Sequence, residues 1–150
     1  MRCRVNTILN RESESWEFRL ERLLPLFGHR NWIVVADAAY PAQSKPGIET
    51  IFTGRDHTEV LGRVLDAISA SRHVRANIYL DAELKPVAEA DALGVNALRS
   101  EMTRKLAGKN TRELAHEQII ARLDQAGNGN AEIVANGIIG LPHNSPSSSI

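Results

Sequence analysis

The sequence predicts a single three-layer α/β domain, and three observations carry that expectation. Amphipathic helical stretches and short apolar, strand-like stretches alternate along the whole chain, the pattern of helices laid over a sheet. The stretch at 32–36, "WIVVA", is apolar on both faces and β-branched, as a strand covered on both sides must be. A chain of 150 residues is also the size of one domain with one substantial core.

Each element follows from its spacing. Between Ser13 and Phe27, the apolar residues Trp16, Leu20, Leu23, Leu24 and Phe27 recur at helical steps among charges. Gly28 stands where a left-handed C-cap would end that helix. After the strand at 32–36, Pro41, Pro46 and Gly47 predict a loop, and "IETIFTG" a second short strand. Asp56 or Thr58 caps a helix to Ser71 with Val60, Leu61, Val64, Leu65 and Ile68 on one side. "RANIYL" (75–80) reads as a strand, and 81–91 as polar and irregular. A third helix carries Leu98, Met102 and Leu106 and ends near Gly108. "TRELA" is a short strand. His116 to Gln125 is a helix with Ile119, Ile120 and Leu123 inward, stopped by Gly127. "AEIVANGIIGLP" is the last strand region, so the domain is expected over 1–142. The closing "HNSPSSSI" (143–150) is small and polar, a tail expected to fray. There is no internal repeat and no linker.

Composition narrows the function. Eighteen basic and eighteen acidic side chains balance, and the basic ones are scattered rather than gathered in a stripe. This argues against a nucleic-acid or anionic-membrane partner. The one cysteine, Cys3, rules out an internal disulfide and a cysteine-based zinc cluster, and fits a reducing compartment. No apolar run approaches the roughly 20 residues that span a bilayer. Arg2 and Arg4 are basic, but Asn10, Arg11 and Glu12 interrupt the apolar region a signal peptide needs. The expectation is a cytoplasmic protein.

Three residues stand out chemically. His29 precedes the strand at 32–36 and Asp37 follows it. Were all the steps between them extended, the two would stand about 26 Å apart. They share a pocket only if the chain folds back or a neighbouring subunit supplies one of them. Asp37 ends a strand at its carboxyl end, where ligands gather in open α/β sheets. His116 opens a helix right after a short strand, facing unpaired N–H groups and the positive end of the helix dipole. That position disfavours the protonated ring, and a neutral imidazole can donate to and accept from hydroxyls such as those of a sugar. The plainer alternative for His116 is a helix start with no ligand. His57 and His73 flank the second helix as surface or capping residues, and His143 follows Pro142 at the head of the tail. Glycine-rich phosphate loops and HExxH, GxSxG and EF-hand patterns do not occur, and "GNGN" at 127–130 is turn chemistry.

On these residues the chain resembles the RbsD/FucU family of sugar mutarotases (D-ribose pyranase and L-fucose mutarotase). The motif is "LLPLFGHRNWIVVADAAYPAQS": a helix, Gly-His, a polar pair, an apolar strand, an aspartate followed by small residues, and a proline loop. Gly28, His29, Asp37, Pro41, Ala42 and Ser44 fit it, with "DAAYPAQS" nearer the fucose branch. "LAHEQIIARLDQAG" is similar to the family's His-Glu helix start and matches its second binding histidine to His116. In "GIIGLPHNS" Pro142 fits, while His143 stands at the family's tyrosine position and Ser145 at its asparagine. The resemblance implies an RbsD-like α/β/α domain with a mixed sheet. It implies a cofactor- and metal-independent isomerase that interconverts the cyclic forms of a free aldose. His29 would be the acid/base catalyst, and Asp37 would hold sugar hydroxyls or orient a histidine. His116 would bind the sugar, with His143 and Ser145 lining the pocket. It also implies a ring-shaped homo-oligomer with sites between subunits. A non-catalytic sugar-binding or regulatory relative, and an oligomeric scaffold without a pocket, remain open beside the enzyme.

Overall fold

The computed structural model describes residues 15–28, 31–36, 45, 47–126, 132–136 and 139–144. Within them four helices and seven strands form a mixed α/β fold. The helices are α1 (Trp16–Leu23), α2 (His57–Ala70), α3 (Val95–Leu106) and α4 (His116–Ala126). The strands are β1 (Asn31–Ala36), β2 (Ile48–Ile51), β3 (Arg75–Ala76), β4 (Ile78–Asp81), β5 (Thr111–Leu114), β6 (Glu132–Asn136) and β7 (Ile139–Asn144). No helix among the described residues is long and apolar enough to cross a membrane.

The strands lie in one sheet in the order β2-β6-β1-β7-β4-β5, with β3 also paired to β7. β2, β6 and β1 run parallel, β4 and β5 run parallel, and β7 runs against both of its neighbours. The last strand region expected from "AEIVANGIIGLP" is thus two strands on opposite sides of β1. β7 continues through His143 and Asn144, which pair with Ala76 and Arg75, so the boundary expected after Pro142 falls inside a strand. The expected strand at 75–80 is interrupted at Asn77, yet β3 and β4 keep one register against β7.

The alternation of β1 decides which helices cover which face. Ile33 and Val35 point to the face covered by α1, α2 and α3, where Val60, Leu61 and Val64 of α2 are fully buried. Val34 and Ala36 point to the other face, under Ile119 and Leu123 of α4. A strand buried on both sides cannot alternate with polar residues, which is why "WIVVA" carries none. The apolar positions expected on α2 are all buried. Asp56 is its cap, accepting from the Thr58 N–H.

α1 ends differently from expectation. Pro25 cannot continue the helical hydrogen-bond ladder, so Leu24–Leu26 form a tight 3₁₀ turn and Phe27 leaves extended. Gly28 is not left-handed; its N–H donates to Asn31 Oδ1 at 2.7 Å. His73 closes this corner, its Nε2 3.1 Å from the Leu24 carbonyl and its Nδ1 3.2 Å from Ser71 Oγ. That accounts for His73 as a structural residue at the end of α2.

Candidate functional site

The cross-strand register sets the geography of the candidate residues. Val34 of β1 and Tyr79 of β4 both stand level with Gly140 of the intervening β7. Two residues on, Ala36 and Asp81 therefore reach the same edge of the sheet, about 10 Å apart across two strand spacings. This is the carboxyl edge of β1, β4 and β5. In the parallel pair β4/β5, Asp81 stands opposite Leu114, and after Ala115 the chain turns into α4 at His116.

That arrangement brings Asp81 and His116 together. His116 Nδ1 lies 2.7 Å from Asp81 Oδ2. The other carboxylate oxygen, Oδ1, accepts the Glu83 N–H at 2.9 Å and caps the 3₁₀ turn at Ala82–Leu84. With both oxygens engaged, the carboxylate is an acceptor for an Nδ1–H, which in the neutral ring leaves the lone pair on Nε2. The Asp81 side chain is 8% exposed and that of His116 47%. The pair thus has a buried anchor and an accessible working end.

The electrostatics correct the expectation for His116. Its hydrogen bond to Asp81 raises its pKa above the usual histidine value, partial burial opposes this, and the charges of Asp81, Glu83 and Glu117 add to the rise. A helix start favours the neutral ring, but a directly bonded carboxylate outweighs the screened partial charge of the helix end. Asp81, Glu83 and His116 place three potential ligand atoms within 4.8 Å of one another. Asp81 is engaged through both oxygens, one by His116 Nδ1 and one by the Glu83 N–H, the geometry of a carboxylate that orients a histidine.

Sequence reasoning missed Asp81 although its signal was present: "NIYLD" ends an apolar strand in an acid, as "IVVAD" does at Asp37. His29, Asp37 and Ser145 lie outside the described residues. β1, which leads to Asp37, ends at Ala36 beside the Asp81 level. His143 is placed elsewhere: on β7 it pairs with Asn31 and Ala76. That level is five residue steps, about 16 Å, from the edge holding His116. The structure therefore joins His116 to Asp81 and, within one chain, separates it from His143.

No model of a known protein family matches the chain, and no curated protein matches it significantly.

Proposed function

We propose that the chain is a monosaccharide mutarotase, a cytoplasmic, cofactor-independent isomerase with the RbsD-like form of the α/β fold. It interconverts the cyclic forms of a fucose- or ribose-like aldose by acid/base ring opening and closure. The observation that carries this reading is the half-exposed His116, held through Nδ1 by Asp81 at the sheet edge where β1 ends just before Asp37. The motif around His29 and Asp37 supplies the rest.

The chemistry is modest and suits so small a set of groups. A base removes the anomeric O–H proton as the C1–O5 bond breaks and C1=O1 forms, and an acid protonates the departing ring oxygen. Rotation about C1 and reclosure give the other form. Sugars do this slowly in water, and a positioned acid/base group contributes ~10²–10⁴-fold. His29 is the proposed acid/base catalyst, Asp37 and His116 hold sugar hydroxyls, and His143 and Ser145 line the pocket. Because β1 separates its own two ends, and His143 stands at the end away from His116, the complete site is proposed to form between copies in a ring-shaped homo-oligomer.

Saturation-transfer NMR tests this directly. The wild-type chain is expected to accelerate anomer exchange of fucose, ribose or galactose, and His29→Ala to return it to the buffer rate with the fold intact. Exchange at the buffer rate for every sugar would overturn the reading. Sugar-dependent thermal stabilisation without exchange would favour the non-catalytic sugar-binding relative instead.

A further inference from the structure

We infer that Asp81 is the positioning residue of an Asp81–His116 acid/base dyad, making His116 a second proton-transfer group rather than a binding residue alone. This inference rests on the mutarotase reading above. Ring opening needs two protons handled at two oxygens, the anomeric O1 and the ring O5. One histidine between them must shuttle, whereas two oriented groups act together.

The geometry equips His116 for one of these transfers. Asp81 Oδ2 fixes the proton on Nδ1, so the neutral ring offers its lone pair at Nε2. Nε2 takes the proton from O1 while C1=O1 forms and the C1–O5 pair moves to O5. His29, in the proposed site, delivers the proton to O5, and reclosure reverses both transfers with no change in oxidation state. The imidazolium formed on His116 is stabilised where it arises. Asp81 from β4, Glu83 from the 3₁₀ turn and Glu117 from α4 are the charged groups facing it. The Glu83 N–H donates to the second oxygen of Asp81, a further hydrogen bond that steadies the carboxylate.

Asp81→Asn separates positioning from structure. The amide in that variant would keep an oxygen for the Glu83 N–H but turn its NH₂ toward His116 Nδ1. The ring would then accept at Nδ1 and carry its proton on Nε2, the wrong tautomer for a base. Two-dimensional ¹H–¹⁵N NMR is expected to show His116 with an unprotonated Nε2 in the neutral wild-type ring and a protonated one in Asp81→Asn. The sugar exchange rate is expected to fall about 10²-fold or more, with KM little changed and the pH profile shifted to lower pH. Because His116 is exposed, His116→Gln is expected to fold and to lose as much, and the double variant to lose no more than either single one. Recovery of part of the rate by Asp81→Glu supports the carboxylate's role. An unchanged tautomer in Asp81→Asn overturns Asp81's hold on the ring. A changed tautomer with unchanged rate and pH profile overturns the catalytic role. A wild-type chain that accelerates no sugar's exchange overturns the mutarotase reading, and with it the catalytic role, while the NMR result still decides Asp81's hold on the ring.

Discussion

Trp32 and Tyr79 stack across β7, with ring centroids 6.0 Å apart and 27° between their planes. On the strand between them, Gly140 stands level with Tyr79 and Pro142 level with Trp32. Arg122 of α4 covers both, its guanidinium 5.9 Å from the Trp32 centroid and 5.2 Å from that of Tyr79. The contact fastens the middle of α4, whose first residue is His116, to the sheet. Arg122→Ala is expected to destabilise the fold by about 0.5–1 kcal/mol, read as a lower urea midpoint. Arg122→Lys should restore only part of this, because an ammonium lacks the planar face that lies over two rings. Full recovery by lysine would show that charge alone matters.

The His116–Asp81 pair gives stability a pH dependence of definite sign. His116 has a folded pKa raised above its unfolded value, chiefly by the hydrogen bond to Asp81. Its contribution is therefore fully present below the ordinary histidine value of about 6.5 and is lost as pH rises through the folded value. The difference in thermal midpoint between wild type and His116→Gln is expected to be largest near pH 6 and to shrink toward alkaline pH. A difference that grows with pH would contradict the pairing.

Leu61 is fully buried where α2 meets the sheet. Leu61→Ala removes three carbons from a site with no solvent to fill it, and about 2–5 kcal/mol of stability should go with them. Chemical denaturation checks this, and a loss well under 1 kcal/mol would mean that α2 is not seated as described.

Gly62 offers the opposite case. It sits inside α2, and a Cβ there would meet Lys105 Nζ at 3.0 Å. That atom ends a flexible chain whose ion pair with Glu101 spans 3.6 Å, so it can step aside with little loss. Gly62→Ala is expected to stabilise by about 0.5–1 kcal/mol, because alanine loses less backbone entropy in a helix. A lower denaturation midpoint would show that Lys105 cannot yield.

Much of the fold was legible in the chain because local chemistry writes it there. The spacing of Val60, Leu61, Val64, Leu65 and Ile68 marks the buried side of α2, and Asp56 marks its start. The two-faced apolarity of 32–36 marks a strand buried on both sides. Where expectation and structure part, a short-range rule met a competing one. Gly28 suits a left-handed cap, but Pro25 had already ended the helix. The helix dipole favours a neutral His116, but a carboxylate at 2.7 Å favours the charged ring.

The sequence by itself determined where most helices and strands fall, which faces are apolar, and that His116 opens a helix. Tertiary structure alone decided that β7 runs against its neighbours, that Asp81 meets a histidine 35 positions away, and that His143 stands at the other level of the sheet. The reason is physical. Periodicity records whether a side chain faces core or solvent, a property of one segment and its surroundings. Strand order and register are pairings between segments, settled by which faces can be buried together, and a site assembled from two strand ends exists only after that choice is made.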